Sequence, residues 1–403
     1  MTATDITTSV SADEQRVNAL IDELLRECPP ASVKPHEFLG VQFDKGLAWV
    51  HFPEGLGGLN LSPKLQKTIN ERVFAAGAPN PVMRNPIGHG MTGPTVAVWG
   101  SEAQKQRYLR PLFTGEEVWC QLFSEPGSGS DVAGLSSKGV RDGDEWIVNG
   151  QKVWTTLAHI SRWGLLIVRT DSEAVKHSGI TAFVVDMQAP GVEVRPLRQM
   201  TGEAEFNEVY FTDVRIPDAE RLGTAGEGWR VSLTTLMNER VSIGGAIPQK
   251  GSGPIREAVR VWTSLPASER TAERCDQLMR LWSEAEILRL TNIRANDSRK
   301  MGTPGPEGSI AKLHMADLNK KIYEFAIGLS GAEGMLYGTY EMIRPEIAMG
   351  HESLTKAFLR SRANSIEGGT SEIMKNILGE RVLGLPGDVR VDRDRPWSTV
   401  PRN

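Results

Sequence analysis

Two carboxylates stand where a carboxylate could act as a general base. Glu239 lies inside an apolar helical pattern, in the run LMNERV, directly before Arg240. Burial would raise the pKa of such a carboxyl and the arginine would lower it, so its surroundings can set its basicity. Glu367 lies between two helical patterns, before Gly368-Gly369. Read alone, Glu239-Arg240 is most simply a charge pair on the surface. The segment after Glu367 is most simply a helix that ends at glycine, followed by a new helix capped by Thr370.

A turn rich in glycine and serine could bind a ligand through its backbone. The apolar run Val118–Phe123 leads into Ser124–Asp131, whose sequence is SEPGSGSD. Glycine lets the backbone approach a ligand closely, and consecutive N–H groups in such a turn can hold an anion or the polar edge of a ring. The simpler interpretation of this stretch alone is a solvated turn that joins two strands.

The sequence pattern disfavours several common sites. The turn has no following Lys-Ser or Lys-Thr pair, and no GxGxxG motif follows a strand and opens a helix, so neither a P-loop nor a Rossmann site is expected. The seven histidines lack metal-ligand spacing, so we expect no metal site, and His89 and His351 are predicted to be surface or structural residues. Ser128 and Ser130 have no base nearby in the sequence, which disfavours serine hydrolysis.

The composition is that of an ordinary globular protein. The 403 residues allow two or three domains, and the net charge of −4 argues against a dedicated nucleic-acid binder. Three widely spaced cysteines predict a reducing compartment and no disulfide framework. The N-terminal residues do not match a signal peptide and no apolar run reaches the length of a membrane span, so we expect a cytoplasmic protein.

The first part of the chain, residues 1–116, has mainly helical periodicity. Apolar side chains recur at helical spacing in three segments, at 12–26, 63–77 and 102–109. Ser101 is a suitable N-cap for the third helix, which Pro111 and Gly115 would end. The stretch from Phe38 to Gly58, rich in glycine, histidine and aromatic residues, is predicted to be a loop.

The middle part, residues 117–225, changes to short runs rich in Val, Ile, Trp and Phe. Turn signals separate these runs, and Asn149-Gly150 is a strong signal for a hairpin. Short strands without intervening helices predict a small β-barrel or sandwich. The helical period returns in the last part, residues 226–403, with predicted helices at 228–247, 254–264, 267–298, 308–329, 353–365 and 370–383.

Five segments in this order and spacing resemble the acyl-CoA dehydrogenase family over residues 10–385. They are LFSEPGSGSDVAG, NGQKVWTT, FNEVYFTDVRIP, MNERV and IEGGTSEIMKNILGERVLGLP. The resemblance implies an α+β multidomain protein with an N-terminal helical domain, a central β-barrel domain and a C-terminal four-helix bundle. It also implies FAD at the domain junction, and a homodimer or homotetramer in which flavin contacts cross a subunit interface.

The resemblance assigns cofactor contacts by matching position. In the first motif, the backbone of Gln121, Leu122 and Phe123 would run along the flavin ring, and Ser124 would bond to the pyrimidine end of the ring. Gly129 and Ser130 would lie beside the FAD phosphates and the start of the CoA path. The other motifs would supply Trp154 flanking the ring, Thr155 next to it, Thr156 hydrogen-bonded to flavin N5, and Thr370 and Glu372 near the FAD.

The implied chemistry is α,β-dehydrogenation of an acyl-CoA thioester. A carboxylate takes the α-proton while a β-hydride leaves for the flavin, and the N–H of Gly368 matches a donor to the thioester carbonyl. Some members place the base directly before Gly-Thr in the last motif, which is Gly368 here, with Glu367 one residue earlier. Others place it on the first helix after the β-domain, followed by Arg. Glu239-Arg240 matches this second pattern, so Glu239 is favoured as base and Arg240 would position it and the substrate.

Alternatives within and outside this class stay open. The leading hypothesis passes electrons to an electron-transfer flavoprotein, whereas an acyl-CoA oxidase would pass them to oxygen. A DNA-binding relative is disfavoured by the acidic charge balance, and a catalytically silent subunit by the presence of Glu239. A hetero-oligomer is also open. An Arg and a Phe that family members use to reach the partner's FAD have no match between Arg256 and Arg280, and a family glutamine is Gly328 here.

Overall fold

Helices build the N-terminal part of the protein, as predicted. The computed structural model describes residues 11–244, 247–301, 305–346, 353–389, 392 and 394–401. The helices of this part are α1 (Ala12–Glu27), α2 (Pro35–Asp44), α3 (Leu65–Ala75), α4 (Gly93–Trp99) and α5 (Glu102–Thr114). Ser11 begins α1 through a capping box with Glu14, and the helix buries Val17, Ile21 and Leu24 on one face.

Two expectations for this part are wrong. The predicted loop from Phe38 to Gly58 contains most of α2, because Phe38, Leu39 and Phe43 bury one helical face and this pattern outweighs the glycine and histidine content. Pro111 does not end α5, which continues to Thr114. The helix ends at Gly115, whose φ of 73° is the left-handed conformation that glycine adopts without cost.

Within the described residues, eight strands form one sheet in the middle part. They are β1 (Trp119–Leu122), β2 (Lys138–Asp142), β3 (Glu145–Thr156), β4 (Trp163–Arg169), β5 (Ile180–Asp186), β6 (Val192–Pro196), β7 (Phe206–Pro217) and β8 (Arg221–Leu222). The hydrogen-bonded order is β6-β7-β3-β2-β4-β5-β8, and β1 pairs in parallel with β4. Apolar side chains of β3, β4, β5 and β7 share one buried cluster, so the sheet curves around a common core. The opposite face of β4 and β5 packs against the N-terminal helices.

The predicted hairpin at Asn149-Gly150 is wrong. Strand β3 runs through both residues and pairs with β7 on either side of them, with a bulge just before Gly150. The hairpin lies earlier, where Asp142 at the end of β2 pairs with Glu145 at the start of β3. Glycine is needed at 150 because φ is 151° and a Cβ would lie 2.2 Å from Ser137 Oγ.

The C-terminal part is a helical bundle, as predicted. Its helices are α6 (Gly228–Gly244), α7 (Pro254–Ser264), α8 (Ala272–Lys300), α9 (Glu307–Leu329), α10 (Leu354–Ser361) and α11 (Ser371–Arg381). Helix α9 lies at the centre and packs against α7, α8, α10 and α11. Among the residues that the structure describes, no helix is long and apolar enough to cross a membrane. The domain boundaries at residues 116 and 225 stay predictions.

The C-terminal tail returns to the middle domain. A backbone hydrogen bond joins Trp397 to the loop between β4 and β5, and its buried indole lies 4.5 Å from the guanidinium of the buried Arg169. In the same loop, Lys176 forms ion pairs with Asp131 at 2.6 Å and with Asp392 at 2.5 Å. The tail is therefore connected to the end of the glycine-serine turn.

Candidate active site

The glycine-serine turn is a tight hairpin that follows β1. The backbones of Glu125 and Ser128 exchange hydrogen bonds of 3.0 Å in both directions. Ser124 before the turn is half-buried, whereas Gly129 and Ser130 after it are exposed. A Cβ on Gly129 would meet no atom within 4 Å, so this part of the turn is open to a ligand.

A buried ion pair that the sequence did not predict lies under this turn. Lys152 is fully buried, and its Nζ donates to Glu125 Oε1 at 2.8 Å and to the carbonyl of Phe123 at 3.0 Å. The Glu125 carboxylate also accepts the N–H groups of Ser136 and Ser137, at 2.7 and 2.9 Å. Burial opposes its charge, but the ammonium and these donors outweigh burial and hold the pKa of Glu125 below its usual range. The pair ties the end of β1 to β3.

The end of β3 is bulged and presents Trp154. The pairing of β3 with β7 shifts register between Lys152 and Thr155, and Trp154 has a φ of 59°. Its side chain is 57% exposed and meets the Phe206 ring edge to face at 5.8 Å. Positive φ at a bulky residue costs free energy and often accompanies a functional site. Thr155 is buried and Thr156 is half-buried.

Besides Trp119 Nε1, two buried polar atoms in these strands lack a hydrogen-bond partner among the described residues. Neither Gln121 Oε1 nor Thr155 Oγ1 has a hydrogen bond to any described residue. Because buried polar groups are normally hydrogen-bonded, both atoms indicate a missing partner such as a ligand. The neighbouring side chains of Leu122 and Phe123 are buried, and β1 pairs with no described strand other than β4. The other edge of β1 can therefore offer its backbone to a planar ligand.

Glu367 is held by other side chains. Arg360 donates to its two carboxylate oxygens at 2.7 and 3.0 Å, and Asn364 donates to one of them at 2.9 Å. Gly368-Gly369 follows with φ values of 61° and 94°, so both residues lie in the left-handed region. Thr370 then caps α11 as predicted, by accepting a hydrogen bond from a backbone N–H in the first turn. Glu372 lies in that same turn and is exposed.

Arg360 connects this loop to the bulged end of β3. Its guanidinium carbon lies 6.0 Å from the centre of the Phe206 ring, and that ring contacts Trp154. On its other side Arg360 holds Glu367. The structure thus brings the second and the last sequence motifs together at one place, through Phe206, the first residue of the FNEVYFTDVRIP motif, and Arg360, which lies outside the motifs.

Glu239 lies on α6, away from the turn that contains Glu367 in the sequence. This helix packs against α4, against β5 and against a π-helical turn at Gly88–Thr92. Thr235 Oγ1 lies 2.9 Å from Thr95 Oγ1 of α4 and fixes the contact. Glu239 is half-buried and follows Thr235 by four residues, so it lies on the same face of α6. The side chain of Arg240 is outside the described residues.

His89 is structural, one of the two roles expected for it, and lies in the turn that packs against α6. Its Nε2–H donates to the carbonyl of Phe113 at 3.1 Å, and the rings of Trp49 and Phe113 pack on it at 5.4 and 4.9 Å. Burial lowers the pKa of His89 to about 4, so the imidazole is neutral at pH 7. His351 is outside the described residues.

The neutral form of His89 makes stability depend on pH. Between the unfolded pKa of 6.5 and the folded value of about 4, only the unfolded chain binds the proton. The free energy of unfolding is therefore expected to fall by about 3 kcal/mol as the pH drops through this window. Urea unfolding of the protein and of His89→Gln between pH 4 and 7 measures it, and the variant should lack this part of the decline. If the resonance of the His89 imidazole itself titrates near pH 6.5, the expectation is contradicted.

The chain matches models of one known protein family along most of its length. The models of the acyl-CoA dehydrogenase N-terminal, middle and C-terminal domains match residues 16–116, 120–214 and 226–383 in that order. This chain belongs to the acyl-CoA dehydrogenase family. It is therefore an enzyme, a flavoprotein oxidoreductase of lipid β-oxidation, and the fold predicted from the sequence motifs is confirmed.

Three relatives illustrate the similarity. The acyl-CoA dehydrogenase IpdE1 of Mycobacterium tuberculosis is 35% identical over 350 residues, which cover 86% of each chain. The acyl-CoA dehydrogenase FadE34 of the same organism is 35% identical over 388 residues, and the match covers 96% of this chain but 51% of FadE34. The solved ChsE4-ChsE5 complex from Mycobacterium tuberculosis superposes with a TM-score of 0.68 at 26% identity, covering 94% of this chain and 100% of the other.

Members of this family bind FAD, and the surface described above fits that cofactor. Beyond Trp119, whose N–H donates to Asn85 Oδ1, β1 pairs with no described strand other than β4, and the atoms Gln121 Oε1 and Thr155 Oγ1 have no hydrogen bond to any described residue. Trp154 offers an exposed aromatic face next to them. Gly129 leaves room for a phosphate at the turn. FAD is therefore the cofactor of this chain, whereas its individual contacts stay predictions.

Proposed function

We propose that this enzyme introduces a double bond between the α and β carbons of an acyl-CoA thioester. The observation that carries the proposal is the meeting of the Trp154 surface with the Gly368-Gly369 turn through Phe206 and Arg360. A thioester placed there would have a planar cofactor surface on one side. It would have the backbone N–H of a left-handed glycine on another.

In this proposal the chain's own residues remove a proton from the substrate and stabilise the negative charge that develops on it. Glu239 takes the α-proton, and the N–H of Gly368 donates to the thioester oxygen, where negative charge develops. FAD, when bound, supplies the acceptor for the β-hydride. Ser130 at the open end of the turn binds the CoA portion, and Arg240 orients the base and the substrate. Thr370 and Glu372 are proposed to lie near the cofactor.

The contacts of Glu367 argue against it as the base. The Glu367 carboxylate already accepts hydrogen bonds from Arg360 and Asn364, on both of its oxygens. A carboxylate in a bidentate arginine pair has its oxygens directed at the guanidinium and not at a substrate. Glu239 is half-buried on a helix that α4 holds in place, where a base can be partly desolvated and still approach a substrate carbon.

We also propose an electron-transfer flavoprotein as electron acceptor and a homodimer or homotetramer as the assembly. Helix α8 supports the second point, because Met279, Ile287 and Leu290 are each about half exposed on it. A hetero-oligomer stays the alternative, since the similar ChsE4-ChsE5 structure is a complex of two named chains.

The function is tested with the purified protein loaded with FAD. Straight, branched and ring-bearing acyl-CoA thioesters are added one at a time without oxygen, and loss of the visible flavin absorbance is followed. We expect at least one class to bleach the flavin and to yield the α,β-unsaturated thioester by mass spectrometry. Reoxidation by an electron-transfer flavoprotein without hydrogen peroxide separates a dehydrogenase from an oxidase. A protein that binds FAD but is bleached by no thioester would contradict the proposal.

A further inference from the structure

Lys312 on the central helix α9 holds both ends of the glycine turn. Its Nζ donates to the carbonyl of Asn364 at 2.9 Å and, by a shorter contact, to the carbonyl of Gly369. Residues 365–368 lie between these two anchors. Asn319, two turns along the same helix, donates to Asn364 Oδ1 at 3.1 Å. Helix α9 therefore fixes the start of the turn at two points and its end at one.

The turn needs such anchors because its own sequence provides little rigidity. Gly368 and Gly369 have φ values of 61° and 94°, and glycine passes between backbone conformations more easily than any other residue. The Glu367 side chain is fixed by Arg360, but that bond restrains a carboxylate and leaves the peptide planes after it free to rotate. Among the described residues, the Lys312 side chain donates to backbone carbonyls on both sides of the Gly368 N–H, at Asn364 and at Gly369.

We propose that Lys312 is a positioning residue for catalysis, which orients the N–H of Gly368 toward the thioester oxygen by holding the carbonyls of Asn364 and Gly369. The inference rests on the proposed function, because it assigns the Gly368 N–H to the thioester. Lys312 itself does not contact the substrate. Its ammonium lies on the helix side of the turn and acts through the backbone.

The environment of Lys312 explains why a lysine serves here. Burial lowers the pKa of Lys312, and the nearby carboxylates of Glu367 and Glu372 oppose this effect. An ammonium provides three donors on a flexible stem, so one group can serve two carbonyls. A neutral side chain of equal length would fill the same space and leave both carbonyls without this donor.

The test compares Lys312→Met with Lys321→Met, a control on the same helix whose side chain is 57% exposed and pairs with Glu284. Each variant is loaded with FAD and assayed with the best thioester. For Lys312→Met we expect turnover to fall on the order of 10- to 100-fold, because small displacements of a catalytic group have such effects, with KM changed less than about 3-fold. Lys321→Met should match the parent protein.

A second readout isolates the enolisation step. A thioester with sulfur in place of the β-carbon can lose its α-proton but has no β-hydride to transfer. Exchange of its α-protons with deuterated water, followed by mass spectrometry, should slow in Lys312→Met by the same factor as turnover. Lys312→Arg, which keeps donors and charge in a different geometry, should recover part of the loss.

The outcomes separate the two proposals. If no thioester bleaches the parent protein, the proposed function fails. If the parent is active and Lys312→Met retains its turnover and exchange rate, the positioning role is wrong. If Lys312→Met does not fold, the same comparison is made with Lys312→Gln, which keeps one amide donor. A rise in KM alone, with turnover intact, would also overturn the inference.

Discussion

Glu239→Gln is expected to lower turnover by about 10³- to 10⁴-fold while the protein still folds and binds FAD. Glutamine keeps the size and the polar shape of the side chain, but it cannot accept the α-proton. Because Glu239 is only half-buried on α6, we expect the variant helix to fold as in the parent protein. Stopped-flow bleaching of the flavin measures the effect, and α-proton exchange with the β-thia thioester should fall in parallel.

Glu367→Gln is the matched control for this prediction. It removes the charge that Arg360 holds but retains hydrogen-bonding atoms, so we expect a loss of no more than about 10-fold, through a less ordered turn. If Glu367→Gln instead loses all exchange and Glu239→Gln keeps it, the base is Glu367. That result would place this chain among family members that carry the base in the last motif.

Lys152→Met should destabilise the protein by about 3–5 kcal/mol, because it leaves the Glu125 carboxylate buried without its cation. Lys152 is fully buried and Glu125 is 7% exposed, so water cannot replace the lost partner without opening the turn. The midpoint of urea unfolding, with and without FAD, measures the change. Binding of FAD should weaken as well, since Lys152 also holds the carbonyl of Phe123 at the proposed flavin edge.

The double variant Lys152→Met with Glu125→Leu separates packing from charge. It removes both charges, so it should be more stable than Lys152→Met alone, even though it lacks the same bond. Lys138→Met, an exposed lysine on β2 of the same sheet, should change the unfolding midpoint little. A double variant as unstable as the single one would show that shape, not an unpaired charge, dominates at this position.

Periodicity in the sequence was enough for most elements but not for backbone that departs from a local rule. The helices α7 and α9 lie within a residue or two of their predicted ranges, because their apolar faces pack on one core. The hairpin predicted at Asn149-Gly150 was wrong, because a glycine that favours a turn also permits a bulge, here beside Ser137. Deciding between these needs the neighbouring strand, which local sequence does not contain.

The motifs predicted the parts of the site, whereas tertiary contacts determine how they are joined. Arg360 and Phe206 lie far apart in the chain and neither was assigned to the site from the sequence, yet they connect Trp154 to Glu367. The Lys152–Glu125 pair could have been suspected, because a lysine between apolar strand residues and a glutamate after another strand both need partners when buried. No local pattern marks Lys312, whose role depends on the path of the turn across α9.

The docking of the C-terminal tail has a consequence for how the protein is made. Arg169 and Lys176 belong to the middle domain, but their partners Trp397 and Asp392 lie about two hundred residues later in the chain. While the chain is being synthesised, the loop between β4 and β5 therefore lacks its contacts with this segment even after the whole sheet has emerged. The middle domain reaches its final form only after this segment has been synthesised, and a premature stop before the segment acts on a domain about two hundred residues upstream.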